Sequence, residues 1–232
     1  MGDNSEKIPL KALLMLVIFI ILIPLSPMII SGRWDWLEAW LYFIVTTVGF
    51  AVSRWLASRK HADLLKERSH YLDQPDAVSW DKLLSPLVGL GGALIPITAG
   101  VEALLDGSTL FSIVVKIIAL ILIIAGYAIG SYALIANRFF SGMVRIQTER
   151  SHQLVTGGPY RWVRHPGYAG ALLTYFATPL FLDSPWTFVP VLLLAFVLVI
   201  RTSKEDKFLQ EKLDGYREYA GRVRYRLVPG LW

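Results

Sequence analysis

GYAGALLTYFATPLFLDSPWTFVPVLLLAFVLVI, residues 167–200, is two apolar runs, 168–182 and 186–200, interrupted by Asp183-Ser184-Pro185. The period-two alternation of a transmembrane β-barrel is absent, so both runs read as helices. Each would cover only about 22 Å at about 1.5 Å per residue, against a hydrocarbon core of about 30 Å. A tight helical hairpin is expected, spanning obliquely or only just reaching the far face of a membrane.

Four longer apolar stretches precede it, at roughly 10–31, 36–57, 83–105 and 109–136. Each is long enough to span. The first carries Pro24 and Pro27, which predict a kink. It is too long for a signal-peptide core and lacks a small-residue cleavage site, so it reads as a retained helix. The third holds Gly89, Gly91, Gly92 and Pro96, which permit close helix approach. The fourth holds Gly126 and Gly130, a GxxxG whose signal is weak in any apolar helix. With 54% hydrophobic and 18% charged residues in 232 and a mean hydropathy of +0.49, the chain reads as all-α. The expected architecture is a polytopic integral membrane helical bundle of about six membrane segments, the last two a short helical hairpin.

Charge supports this map. All but two of the 23 lysines and arginines fall at the ends or in the loops that share one side, including Lys7 and Lys11. The opposite turns hold Arg33 beside Asp35, Glu38, Glu102, Asp106 and Asp183; Lys116 lies within the fourth segment, where it could snorkel. By the positive-inside rule both termini and all four histidines are cytosolic. The net charge of +5 then reports topology and contact with anionic membrane lipid rather than nucleic acid. After residue 203, Leu209, Leu213, Tyr216, Ala220 and Val223 recur at helical spacing. They predict a C-terminal amphipathic helix, for which membrane-surface anchoring is an equal alternative. With no cysteine, disulfides and thiolate chemistry are excluded. His61, His70, His152 and His165 form no paired metal motif, so no metal site is expected.

Polar chemistry gathers just before the hairpin, in GGPYRWVRHPGYAG, residues 157–170. Pro166 biases His165 away from helical geometry and can itself occupy the first helical position. His165 would then sit at a helix start, where backbone N–H groups suit an anion. His165 and Tyr168 could equally be interfacial anchors. Beyond the hairpin, Arg201 and Glu205 are four apart on one helical face. The hairpin would return them to the side of His165. An ordinary surface ion pair, worth about 0.3–0.5 kcal/mol, is the competing reading.

These strings, with NRFFS at 137–141, HQLVTGGPY at 152–160, RTSKEDKFL at 201–209 and GYREYAGRVRYRLVPG at 215–230, resemble the isoprenylcysteine carboxyl methyltransferase family. That family is similar in turn to the phospholipid N-methyltransferases. The resemblance covers about residues 134–232; before that it extends only to the presence of membrane helices. It implies N-terminal membrane helices over 1–136 and a methyltransferase catalytic region over 137–232. It also implies S-adenosyl-L-methionine as methyl donor, in a cytosolic pocket. Carried over by position, Gln147, His152, Gln153, Leu154, Val155, Tyr160, His165, Pro166, Gly167, Tyr168 and Glu205 would line that pocket. Arg201 would face the methyl acceptor, its planar fork suited to a carboxylate. One departure is Glu205-Asp206, where the family often has two glutamates.

The implied chemistry needs no metal. A carboxylate, with a reference pKa near about 3.5, is ionised at neutral pH and needs placement rather than a base. An amine or thiol acceptor would first have to lose a proton. Carboxyl O-methylation of a prenylated or similar lipophilic substrate is the leading expectation, with a phospholipid amine or a small thiol as alternatives. An NADPH-dependent sterol-type membrane reductase is a competing class, since such reductases resemble this fold and end in a similar hairpin. A scaffold or transporter is a third class; the near absence of charge inside the apolar segments speaks against it.

Overall fold

The computed structural model describes residues 14–15, 17–69 and 74–232. Its helices are α1 (Ile18–Ser31), α2 (Leu37–Lys60), α3 (Ala62–Ser69), α4 (Asp81–Leu105), α5 (Ile113–Ala136), α6 (Pro166–Phe181), α7 (Phe188–Lys212) and α8 (Tyr216–Arg222). No strand occurs among the described residues. The expected beginning of the first segment at residue 10, Lys7, Lys11 and His70 lie outside the described residues. Helices α2, α4, α5 and α7, the last counted from Pro185, are long and apolar enough to cross a membrane; α1 is a shorter apolar helix.

Helix α1 opens on a π-helical turn, Ile18–Leu22. Pro24 and Pro27 have no N–H to donate to the carbonyls of Ile20 and Ile23. Those oxygens are satisfied instead by Thr47 Oγ1 of α2, at 2.9 Å, and Ser26 Oγ, at 2.6 Å. Both prolines are thus absorbed within a helical course.

Within the GxxxG of α5, Gly126 lies at a close crossing with α6. A Cβ on Gly126 would lie 2.5 Å from the Gly170 carbonyl and 2.9 Å from the Thr174 nitrogen. One on Gly130 would meet nothing within 4 Å. Gly126→Ala is therefore expected to cost about 1–3 kcal/mol by overpacking, and Gly130→Ala to be neutral or slightly stabilising. Thermal unfolding of the two purified variants checks this; equal midpoints would refute the assigned crossing.

The hairpin differs from expectation. Helix α7 does not stop with its apolar run but continues for 25 residues to Lys212, about 37 Å. Arg201, Thr202 and Asp206 are buried by neighbouring elements, so tertiary packing carries the helix past its apolar part. Helix α6 packs chiefly on α5 and α7 chiefly on α4, so the two are joined by a turn without being a tight pair.

The amphipathic tail is also divided. Residues 203–212 belong to α7, Gly215 turns the chain at φ +76°, and α8 follows. Leu209, Leu213, Tyr216, Ala220 and Val223 do share a face, but they pack on Tyr160, Tyr219 and Ala133. The apolar face is turned to protein, not to a membrane surface.

At the opposite end, Lys116 does not snorkel. Its ammonium is buried between Glu38 at 2.9 Å and Asp183 at 2.8 Å. Asp183 also accepts from the backbone N–H groups of Leu110 and Phe111. Glu102 accepts from the Ser184 hydroxyl and from the N–H of Trp186, the latter at 3.0 Å. The turn between α6 and α7 is thereby fastened to α2, α4 and α5.

Candidate active site

Three local structures converge at one end of the bundle. Gly158, at φ +59°, starts a 3₁₀ turn through Arg161 that buries Pro159 and Tyr160. His165 caps α6 with non-helical φ −125° and ψ 62°, and Pro166 takes the first helical position, as the sequence predicts. Residues 225–226 then lie beside this cap: the N–H groups of Arg164 and His165 donate to the carbonyls of Tyr225 and Arg226, at 3.0 and 2.9 Å.

Between them lies a cavity that is partly open to solvent. It is lined by His152, Gln153, Leu154, Val155, Tyr160, His165, Gly167, Tyr168, Arg201 and Glu205, all expected from sequence. Gln147 and Pro166 do not line it. Gln147 is fully buried behind the wall. Its Nε2 donates to the Phe139 carbonyl at 2.8 Å, and its Oε1 accepts from Arg150. Pro166 is buried as the start of α6. The expected convergence of Arg201 and Glu205 on His165 is present: Tyr168 Oη donates to Glu205 at 2.7 Å, and His165 Nε2 lies 3.4 Å from Asp206.

The cavity also has walls that sequence reading missed, among them Phe139, Phe140, Arg145, Arg164, Tyr216 and Tyr219. His152 stacks on Phe139 at 4.5 Å, and its Nδ1 accepts from the Gln147 N–H. Burial, reinforced by Arg145 and Arg150, lowers the His152 pKa to about 4. It is therefore a neutral, flat surface at physiological pH. Burial also pushes the Tyr160, Tyr216 and Tyr219 hydroxyls up, so they stay protonated.

The three guanidiniums in the wall are each matched by carboxylates. Arg145 is held by Glu67 at 2.9 Å and by Asp76 and Glu149 at 2.6 Å. Arg164 binds Asp206 through two nitrogens, at 2.6 and 3.0 Å. Arg201 Nε and Nη2 bind Asp81 at 2.7 and 2.8 Å, and Nη2 also donates to the Gly142 carbonyl. The Arg201 fork is thus already filled, contrary to its expected availability for a carboxylate. Only Nη1 lacks a hydrogen-bond partner among the described residues. Glu205 is different: its one hydrogen bond among the described residues is from Tyr168.

Asp206 is the hub that sequence reading treated only as a departure from pattern. Besides Arg164 it accepts from Arg226, Gln210 and Tyr216, at 3.0, 2.9 and 3.1 Å. Its position next to Glu205 was a usable signal. Asp81, 120 residues from Arg201, offered none.

The phospholipid methyltransferase family profile matches residues 114–214, from α5 to the break after α7. The probable protein-S-isoprenylcysteine O-methyltransferase of Oryza sativa subsp. indica is 36% identical over 117 residues, 47% of this chain and 59% of that protein. The chain is thus similar, over its C-terminal half, to isoprenylcysteine carboxyl methyltransferases and phospholipid methyltransferases. The protein-S-isoprenylcysteine O-methyltransferase of Schizosaccharomyces pombe is 26% identical over 214 residues, 78% of this chain and 85% of that protein. Likeness to this methyltransferase family therefore reaches the N-terminal helices, beyond what the motifs alone implied. The chain matches little more than half the length of the rice relative. A Delta(14)-sterol reductase of Mus musculus is 33% identical over 95 residues, 40% of this chain but 23% of that protein.

Proposed function

We propose that this protein is an integral membrane methyltransferase that uses S-adenosylmethionine to methylate the carboxylate of a prenylated cysteine. The observation that carries the reading is the charge state of the cavity wall. Arg145, Arg164 and Arg201 are each neutralised from within, whereas Glu205 keeps acceptor capacity beyond its bond from Tyr168. Such a cavity suits a ligand that brings cationic and hydroxyl donors, as this cofactor does.

When bound, the cofactor would supply an electrophilic sulfonium methyl; a carboxylate oxygen of the acceptor would form the new O–C bond as the C–S bond breaks, its electron pair leaving with the thioether sulfur. Glu205 would accept from the ammonium or ribose hydroxyls, and Tyr168 fixes its rotamer. His152 and Phe139 offer a flat, neutral face for a heterocycle. Leu154, Val155, Leu209 and Leu213, lining the same cavity, exclude water. Arg201 Nη1 would give the acceptor carboxylate one charge-assisted hydrogen bond. Its placement, rather than a base, is what the acceptor needs. Helices α2, α4, α5 and α7 would span the bilayer, and by the charge distribution the cavity end would face the cytosol.

The sterol-type reductase reading is less well supported. NADPH carries a 2′-phosphate that asks for uncommitted cations, and the cavity guanidiniums are committed. The test is calorimetry on purified protein. S-adenosylhomocysteine should bind the wild type, and Glu205→Gln should weaken it about ten- to hundred-fold, the cost of a charge-assisted hydrogen bond of about 1.5–3 kcal/mol. Tight binding of NADPH with none of S-adenosylhomocysteine would overturn the proposal.

A further inference from the structure

Helix α3 contributes no residue to the cofactor cavity, and it lies before the stretch that the family profile matches. It is nonetheless tied to the cavity's wall. Leu64 is fully buried with Ala57 and Leu134. Asp63 and Glu67, one helical turn apart on the same face, both reach the segment 137–150 that follows α5. Asp63 Oδ2 accepts from Arg138 and from Arg150, each at 2.8 Å. Glu67 accepts from Arg145 at 2.9 Å and from the Ser141 hydroxyl at 3.4 Å. Burial raises the Asp63 pKa, but the bonds from Arg138 and Arg150 outweigh it and hold it at about 2. The anchor on α3 therefore stays charged at physiological pH.

Segment 137–150 has one 3₁₀ turn, Thr148–Arg150, and is otherwise irregular, so its own backbone fixes little of its shape. Its middle is pinned to α4 and α7: the Gly142 carbonyl accepts from Ser85 and Arg201, and the Val144 N–H donates to Asp81. The flat face of the cavity is held by another route. Arg150, whose one carboxylate partner among the described residues is Asp63, donates to Gln147 Oε1. Gln147 in turn donates through Nε2 to the Phe139 carbonyl at 2.8 Å and through its backbone N–H to His152 Nδ1 at 3.3 Å. Phe139 and His152 are the stacked pair in the wall. A continuous path of hydrogen bonds thus runs from Asp63 through Arg150 and Gln147 to both rings. Gln147, which has no surface in the cavity, is its buried middle link.

We propose that Asp63 is a positioning residue for the cofactor site. From α3, through Arg150 and Gln147, it sets the orientation of the Phe139–His152 face against which the cofactor's heterocycle stacks. This rests on the methyltransferase reading above. Without the carboxylate, the Arg150 guanidinium loses its counter-charge and turns toward water. Gln147 then loses the donor that fixes its amide, and the two rings lose their common support.

Asp63→Asn keeps the shape of the side chain and removes its charge. S-adenosylhomocysteine should bind that variant about tenfold more weakly, and Asp63→Glu should restore part of the loss. With N-acetyl-S-farnesylcysteine as acceptor, the KM for S-adenosylmethionine should rise in step while kcat at saturation stays within about twofold. Arg150→Gln should weaken binding similarly, and the double variant no further than either single one, because both break the same path. The order of the wall is read without any ligand. The chain has no cysteine, so a nitroxide on Thr148→Cys, which is exposed, reports that turn alone. Its electron paramagnetic resonance spectrum should show faster motion once Asp63→Asn is added, with the thermal midpoint close to that of the labelled parent. Wild-type affinity in Asp63→Asn would overturn the proposal. Additive losses in the double variant, or label motion unchanged by the substitution, would overturn it equally. Failure of the unmodified protein to bind S-adenosylhomocysteine would instead remove the methyltransferase reading and this inference with it.

Discussion

Arg201→Ala is expected to destabilise the protein by about 3–5 kcal/mol, because it leaves Asp81 a buried carboxylate without its counter-charge. Asp81 is fully buried, both its oxygens accept from Arg201, and one also accepts from the Val144 N–H at 2.7 Å. The pair joins the start of α4, the middle of α7 and the loop that walls the cavity. Arg201→Lys should recover only part of the loss, since a single ammonium cannot reproduce the two-oxygen fork. An Asp81→Asn, Arg201→Met double variant should be markedly more stable than Arg201→Ala, because no unpaired charge remains. Thermal and chemical unfolding in detergent measure all three. Wild-type stability for Arg201→Ala would show that the pair is not the internal tie described above. Turnover carries separate information. If the proposed methyltransferase reading holds, an acceptor carboxylate could draw on Nη1 alone, Nε and Nη2 being committed, so Asp81→Asn should lower kcat more than acceptor KM by letting the guanidinium drift. The loss should be about ten- to hundred-fold, that of one charge-assisted hydrogen bond.

Asp206→Ala should have an effect of similar size on a different part of the molecule. Its carboxylate is fully buried and receives Arg164, Arg226, Gln210 and Tyr216. Without it, Arg164 becomes a buried, largely unpaired cation, again a loss of about 3–5 kcal/mol. Arg164 also donates to the carbonyls of Val223 and Arg224, at 2.7 and 2.8 Å, so the chain after α8 should loosen. Limited proteolysis would then cut beyond residue 222 well before the bundle unfolds, and S-adenosylhomocysteine binding would fall further than in Glu205→Gln. A tail as resistant as in the wild type would show that Asp206 is not the fastening point.

What the sequence made legible follows the range over which each signal acts. Prolyl geometry is local, so the placement of His165 ahead of α6 was readable from two residues. Helical spacing is nearly local, and it put Arg201 and Glu205 on one face and gathered Leu209, Leu213 and Tyr216 on another. It could not say what that second face touches; protein and lipid demand the same periodicity. The union of the last apolar run with the helix beyond it was not readable for a related reason. Hydropathy ends at Ile200, but Arg201, Thr202 and Asp206 are helical because partners elsewhere in the chain bury them. Charge pairing at a distance left no trace: nothing singled out Asp81, and Lys116 looked like a snorkelling cation. Only the fold shows each with its carboxylate or guanidinium. The GxxxG was visible but not resolvable into a working glycine, Gly126, and an idle one, Gly130.

Helix α6 has 16 residues, about 24 Å of rise, and the turn beyond it is fastened through Asp183 to Lys116 and through Ser184 to Glu102. That turn cannot slide outward to meet a thicker bilayer. Its neighbours α4 and α5 have 25 and 24 residues. In a bilayer the protein is therefore a body of unequal hydrophobic thickness, and lipid along the α6 flank must thin to meet it, at a cost of fractions of a kcal/mol per Å of mismatch.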